Sequence, residues 1–251
     1  MIKFATRERW TRLPDAILFD LDNTLYPYEP AHTAALAAVR AKVTESLSIT
    51  SADFDQAFSQ ARDLVKKNLS GTAASHSRLL YFQRMLELIG LGSQVLLALD
   101  LEQTYWRIFL NNAALFEGVE EFLDDIRLHG IPTAVVTDLT AQIQFRKILY
   151  FGLDKYFDYI VTSEETGFDK PRAAPFTMAV EKISPRGNLI WMIGDDPESD
   201  VRGAREAIGA ITLQKLHGEV RPGRGHSAPE ASFEEFSELK GLVAELSGRA
   251  V

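Results

Sequence analysis

The segment Asp20-Leu21-Asp22-Asn23-Thr24-Leu25-Tyr26 follows the apolar run Ala16-Ile17-Leu18-Phe19 without a break. Side chains alternate along an extended chain, so two carboxylates two residues apart at a strand's exit can face one cleft. One carboxylate can attack phosphorus; the other can protonate the leaving group and later activate water. A second acidic cluster, Gly194-Asp195-Asp196-Pro197-Glu198-Ser199-Asp200, closes another apolar run, Leu189 to Ile193. Hard oxygen donors at this density suit magnesium, which typically takes one or two carboxylates and keeps several waters. Thr137 ends the run Pro132 to Val136 and precedes a helical segment. Its hydroxyl and the backbone N–H groups that follow, beginning at Asp138, could hold a phosphoryl oxygen. Lys170, in Phe168-Asp169-Lys170-Pro171, could neutralise a phosphate and keep Asp20 ionised. Taken singly, each has a plainer reading as an acidic turn, a helix cap or a surface lysine. Taken together they supply nucleophile, acid/base, phosphate grip, counter-charge and metal ligands.

The elements that must position these groups are short apolar strands, each ending in a small or acidic residue and turning into a helix. Besides the three runs above, Tyr159 to Val161 and Ala210 to Leu213 read as strands. Such continuous runs, with little alternation, are what strands buried on both faces look like. Helices are expected over Gly118 to Leu128, over Ala141 to Tyr150 with Thr140 as cap, from Pro175 through Ile183, and after Asp200 to about Gly209. Strand alternating with helix implies an α/β fold with a parallel sheet and right-handed crossovers. Open sheets of this kind bind ligands at the C-terminal ends of their strands.

One gap breaks the rhythm. From about Ala31 to Asn112 only helices can be drawn: Ala34 to Leu47, Ala52 to Lys67, Arg78 to Ile89 and Ser93 to Leu110. Two strands of one sheet do not need so long a connection. The expected organisation is therefore a core of residues 1–26 and 113–251 with an inserted helical subdomain at 27–112, hinged at Tyr26 to Pro30 and Ala113 to Gly118. Between two of these helices the stretch Asn68 to Arg78 is polar and contains glycine. It could dip toward the active site with Ser75, His76 and Arg78 as substrate contacts, or be a solvated turn.

Composition narrows the partners. The apolar and charged fractions, 46% and 25%, are those of an ordinary globular chain. A net charge of −8 with no basic face argues against nucleic acid, and requires positive charge to be concentrated locally for an anionic substrate. There are no cysteines, which removes disulfides and thiolate chemistry and fits a reducing compartment. No secretion signal and no membrane span is expected, so a cytoplasmic enzyme acting on a small phosphorylated metabolite is the default. His32, His76, His129, His217 and His226 lack metal-ligand spacing, Trp10, Trp106 and Trp191 read as packing residues, and Gly218 to Pro229 reads as a mobile surface loop.

With these four motifs in order, the sequence resembles the haloacid dehalogenase-like hydrolase superfamily, whose members are mostly phosphatases. The resemblance covers Asp15 to Tyr26 and Phe116 to Leu213, and the helical insertion looks like that superfamily's helical cap on a Rossmann-like core. It implies Asp20 as nucleophile and Asp22 as general acid/base in a phosphatase working through an aspartyl phosphate. It further implies Mg2+ on the Asp20 carboxylate, the Asp22 backbone carbonyl and Asp195, with Asp196 and Asp200 as further candidates. Thr137 and Lys170 would hold the phosphoryl group. Asp138 departs from the asparagine common at that position, and the extra negative charge calls for an explanation.

Three alternatives stay open at this point. A dehalogenase would also use an aspartate nucleophile but would not need a proton donor at Asp22. A phosphomutase would keep all four motifs. A catalytically idle binding module would be expected to have lost at least one, and none is lost here.

Overall fold

The computed structural model describes residues 1–218 and 220–248. It separates into two compact units, Met1–Pro27 with Ala114–Val251, and Tyr28–Ala113.

The first unit is built on a seven-stranded sheet. Its strands are β1 (Lys3–Phe4), β2 (Ala16–Phe19), β3 (Thr133–Thr137), β4 (Tyr159–Thr162), β5 (Ile190–Gly194), β6 (Ile211–Lys215) and β7 (Ala231–Phe233), in the order β1-β7-β6-β5-β2-β3-β4. All neighbours are parallel except the edge pair β1 and β7. The five strands expected from the apolar runs are present, their ends moved by at most two residues. Strands β1 and β7 are short additions at one edge, too brief to leave a pattern in the sequence. The chain winds outward from β2 through β3 and β4, then returns to β5 on the other side. β2 therefore lies at the point where strand order reverses, the position at which open parallel sheets form a crevice.

Helices cover both faces because the strands offer apolar side chains on both. Numbering of the helices begins in the second unit with α1 to α4; those of the first unit are α5 (Val119–Leu128), α6 (Ala141–Tyr150), α7 (Ser163–Thr166), α8 (Ala173–Ile183), α9 (Gly203–Ile208) and α10 (Phe236–Leu246). Leu18, Ala134, Val136, Val161, Ile190 and Met192 pack with Phe176 and Ala179 of α8 and Ala204 of α9. On the other face Phe19 meets Phe122 of α5 edge-on at 6.2 Å, and Phe122 meets Phe236 of α10 at 5.8 Å. Thr140 occupies the N-cap position of α6, as expected, but makes no capping bond with its side chain; the Glu164 carboxylate accepts the Ala141 N–H instead, at 2.8 Å. The segment Gly218 to Pro229, expected to be a mobile surface loop, is largely exposed, but two points tie it down: Ser227 is buried, and the Gly223 N–H donates to Gln214 Oε1 at 2.9 Å. Residue 219 of that segment lies outside the described residues.

The second unit consists of α1 (Tyr28–Leu47), α2 (Ser51–Asn68), α3 (Arg78–Leu88) and α4 (Val95–Asn111). α1 packs on α4, α2 on α3 and α3 on α4. A capping box between Thr50 and Asp53 starts α2. Phe54, Phe58, Phe82, Tyr105 and Phe109 form a continuous aromatic core, with successive ring centroids 5.6 to 6.1 Å apart. Helix α1 begins six residues earlier than the sequence suggests, because Pro30 falls in its first turn, where a missing N–H costs nothing. The polar stretch before α3 contains a short helical turn, Ala73–His76, with Ser75 buried inside it.

Phe122 joins β2 to α10, so truncating it removes packing on both sides at once. Phe122→Ala is expected to destabilise the first unit by about 3–5 kcal/mol. Urea unfolding measures this; a loss below about 1 kcal/mol would show that α5 and α10 are held by other contacts.

Candidate active site

Asp20 directly follows β2, and its N–H donates to the Ile193 carbonyl of β5 at 2.9 Å, which fixes it at the C-terminal edge between two parallel strands. The chain then makes a tight turn. The Leu25 N–H donates to the Leu21 carbonyl at 3.1 Å, and Asn23 takes a left-handed φ of 65°, which asparagine tolerates better than most residues. Thr24 Oγ1 donates back to Asp20 Oδ2 at 2.8 Å. The turn keeps both Asp20 and Asp22 near the sheet edge while giving them different surroundings.

Asp20 is buried, and its partner is Lys170, whose Nζ lies 2.7 Å from Asp20 Oδ1 and 2.6 Å from Asp200 Oδ1. All three side chains are buried, so one ammonium serves two carboxylates with little water. Burial pushes the Asp20 carboxyl up to about 7, with Lys170 pulling against it and Asp200 and Asp22 adding to it. Burial would lower Lys170, but Asp20, Asp200 and Asp138 together hold it well above its ordinary value. Asp138 thereby finds its explanation: its Oδ1 accepts the backbone N–H of Lys170 at 3.0 Å, so the carboxylate anchors the loop that delivers the lysine.

Asp22 has a second lysine. Lys147 Nζ contacts its two oxygens at 2.6 and 2.8 Å, Gln144 Nε2 donates to it at 3.3 Å, and the Tyr26 hydroxyl also bonds to it. Burial would raise the Asp22 carboxyl, yet Lys147, with Tyr26 and Gln144, leaves it below its ordinary value. Gln144 also donates to Thr137 Oγ1 at 2.5 Å, which ties the end of β3 to Asp22. Of the backbone N–H groups expected to meet a phosphoryl oxygen after Thr137, that of Leu139 is already taken, donating to Ser163 Oγ at 2.9 Å.

The acidic loop after β5 divides its labour. Asp200 Oδ2 accepts the N–H groups of Asp195 and Asp196 at 3.1 and 3.0 Å, while its Oδ1 faces Lys170. Asp196, expected as a further metal ligand, instead has its carboxylate capping the next helical turn: Oδ1 accepts the N–H of Glu198 at 2.9 Å and of Ser199 at 2.6 Å. Asp195 makes no side-chain hydrogen bond among the described residues. Burial, then Asp20 and Asp200, push its carboxyl up to about 9. Oxygens of Asp20, Asp195 and Asp200 lie within 4.8 Å of one another. Three crowded carboxyls, one of them without a hydrogen-bond donor and two driven strongly upward, form a site short of positive charge. A hard divalent cation is the group that fits it. Gly194 makes the crowding possible, since a Cβ there would collide with Asp200.

The sequence-predicted core residues Asp20, Asp22, Thr137, Asp138, Lys170, Asp195 and Asp200 thus converge at the C-terminal ends of β2, β3 and β5. Ser75, His76 and Arg78 belong to the second unit and are considered below. Gln144, Lys147 and Tyr26 escaped the sequence reading. The buried stripe of α6 reads Ile143, Gln144, Lys147, Ile148. Two polar residues on the inward face of a helix that follows a motif were the signal available.

Lys147→Met keeps the length of the side chain and leaves Asp22 without its cation. kcat is expected to fall by roughly 10²–10³-fold, the range for losing one preorganised electrostatic partner in an active site. Steady-state kinetics on the full-length protein checks this; unchanged kcat would reduce Lys147 to a packing residue.

Comparisons agree with the geometry. A family model described as haloacid dehalogenase-like hydrolase matches residues 14–207. The chain is 39% identical over 199 residues to a ribulose-1,5-bisphosphate 5-phosphatase of Halopiger xanaduensis, covering 79% of this chain and 83% of that one. It is 27% identical over 236 residues to a glyceraldehyde 3-phosphate phosphatase of Methanopyrus kandleri, covering 92% and 98%. The magnesium-bound HAD-hydrolase YfnB of Bacillus subtilis shares the fold, with a TM-score of 0.67 at 22% identity over 92% of this chain and 99% of that one. No helix of the described residues is long and apolar enough to cross a membrane. With its four motifs gathered at one sheet edge and the family model spanning most of its length, the chain belongs to the haloacid dehalogenase-like hydrolase family.

Proposed function

We propose that the protein is a magnesium-dependent phosphatase that hydrolyses a small phosphorylated sugar through a phosphorylated Asp20. The observation that carries this reading is the pair of aspartates two residues apart with separate lysines, Asp20 on Lys170 and Asp22 on Lys147. A nucleophile and an acid/base must differ in environment to perform different tasks, and here they do. Sugar phosphates are favoured as the substrate class because two relatives carry such names; the reading assigns the enzyme to the cytoplasm.

In the first step an Asp20 oxygen forms a bond to phosphorus as the bond to the leaving oxygen breaks, and Asp22 supplies the proton that the leaving alkoxide needs. In the second step Asp22 takes a proton from water, which attacks the aspartyl phosphate and restores Asp20. Lys170 neutralises the phosphoryl oxygens and Thr137 offers its hydroxyl to one of them. Magnesium, held by the Asp20 and Asp195 carboxylates and the Asp22 carbonyl, with Asp200 beside them, would shield the nucleophile from a dianionic substrate. A dehalogenase would have no use for a second carboxylate carried on its own lysine, and this counts against that alternative. The helical unit would act as a cap, hinged near residues 26–30 and 113–118, with Ser75, His76 and Arg78 toward the leaving group. Closing it would exclude water during phosphorylation.

Phosphate release from a panel of sugar phosphates should be abolished by excess chelator and restored by magnesium; full activity in chelator would remove the metal from the reaction. Asp20→Asn should leave no turnover. Asp22→Asn should slow phosphorylation by poor leaving groups roughly 10²–10⁴-fold, and that by an activated aryl phosphate far less, because only the former need the proton. Pre-steady-state measurement of the first step separates the two, and equal losses would take the proton-donor role from Asp22.

A further inference from the structure

The helical unit exposes side chains that a solvated surface does not ordinarily carry. Helix α3 stops in a Schellman turn: the Gly90 N–H donates to the Glu87 carbonyl and the Leu91 N–H to the Leu86 carbonyl, at 3.1 and 3.0 Å, with Gly90 at a φ of 85°. The turn delivers the chain to α4, whose first turn holds Val95, Leu96 and Leu97 and no acidic residue. Leu91, Val95, Leu96 and Leu99 are 38, 69, 85 and 41% exposed. Val95 and Leu99 stand one turn apart with Leu96 beside them, so the three form one surface. Together the four leave roughly 400 Å² of apolar surface in water, the size at which a patch marks an interaction site. Leu96 lies about 23 Å along the helix from Asn111, beyond which the chain leaves this unit.

Two features select the occupant, and the first is charge. The chain carries −8, so two copies repel over most of their surfaces. Between Glu87 and Asp100 no residue is charged, and both bordering acids are neutralised within the unit, Glu87 by Arg84 at 2.8 Å and Asp100 by Lys42 at 2.5 Å. A second copy meets no repulsion on this face. Helix α6 also exposes Phe145 and Leu149, but there an exposed Arg146 stands between them. The second feature is shape. Leu79 and Gln83 of α3, with Val95, Ala98 and Leu99 of α4, line a mostly apolar groove of about 200 Å³. An apolar cavity of about 150 Å³ holds a benzene molecule, so a leucine side chain fits in this one. Leu96, the most exposed of the four, supplies such a side chain on the same helix. Knob and groove on one face meet the requirement of a two-fold contact, in which the same patch serves both partners.

We infer that this face of α3 and α4 is a self-association surface, and that the protein forms a two-fold dimer in which Leu96 of each copy enters the groove of the other. The patch is about half of the roughly 800 Å² that each partner of a standard interface buries, so the dimer is a micromolar one. The contact belongs to the helical unit alone and holds whichever reaction the first unit performs.

Sedimentation equilibrium of the full-length protein, from low to high micromolar concentration, should show monomer passing to dimer. Leu96→Glu alters the contact twice, once in each copy, and is expected to raise the dissociation constant roughly 100-fold or more. Its side chain is mostly in solvent, so the variant should fold. The absence of cysteine allows a second measurement that requires no loss of binding. Chains carrying Leu96→Cys and chains carrying Gln83→Cys, mixed and treated with a short bismaleimide, should cross-link to each other in preference to themselves, because the knob of one copy meets the groove of the other. Phe145→Glu is the control on the other exposed face and should leave the dimer intact. A monomer at every concentration would overturn the inference and leave the face to a different protein. A dimer that survives Leu96→Glu would overturn it as well, and loss of that dimer in Phe145→Glu would place the interface on α6. Cross-linking confined to like chains would also count against the knob-and-groove contact and overturn it.

Discussion

One buried ammonium holds this active site together. Lys170 is shared between Asp20, at the end of the central strand, and Asp200, beyond the end of the neighbouring one. Removing charges from water is costly, and such a group persists only when its geometry and remaining hydrogen bonds are well satisfied. Everything around it serves that condition. Asp138, just after β3, fixes the lysine's own backbone; Asp200 turns its second oxygen to the Asp195 and Asp196 amides; Gly194, having no side chain, lets Asp200 come close. The ends of β2, β3 and β5 and the loop that carries Lys170 are thereby registered on one cation. Asp20, the proposed nucleophile, inherits its position from that registration.

The second lysine creates a different balance. Lys147 keeps Asp22 ionised before substrate arrives, which suits the base role proposed for it. A dianionic phosphate beside Asp22 acts in the opposite sense, since a neighbouring negative charge favours the protonated carboxyl. The two fields oppose each other at one side chain, and the acid and base roles proposed for Asp22 become a matter of what stands next to it. Gln144 donates to both Asp22 and Thr137, so Asp22 is also tied to the end of β3.

Much of this was legible in the residues because it is local. A strand buried on both faces must be apolar throughout, and the groups that follow it must be the ones exposed at the sheet edge, so Asp20, Thr137 and Asp195 could be placed from the chain alone. Asp196 could not be separated from Asp195, since adjacent carboxylates look alike until one is seen to cap a turn. Lys147 and Gln144 were hidden for another reason: they meet Asp22 only because α6 presents one particular face to the sheet. His32 has no ligand spacing, and its contact with the Tyr105 hydroxyl, 2.6 Å away, joins α1 to α4 across residues far apart in the chain. Strands β1 and β7 are so short that no periodicity could announce them. What the sequence does not display is contact between segments far apart in it, and the site depends on such contacts.

The backbone bond from the Phe116 N–H to the Leu25 carbonyl, 2.9 Å long, closes the strand-exit turn after β2 against the segment that leads into α5. β2 must also pair with β3, Ile17 opposite Thr133, across the whole length of the intervening helices. Closing a flexible loop of that size carries an entropic penalty, but one that grows only slowly, by about 0.6 kcal/mol for each doubling. Local helical contacts form faster than long-range strand pairs. A chain that builds α1 to α4 first therefore meets a much shorter effective loop when β2 and β3 come to pair, and Leu25 and Phe116 form the clasp that records the closure. The same clasp makes the insertion point tolerant: helices could be lengthened, shortened or exchanged between these two residues without altering the span that the sheet has to bridge.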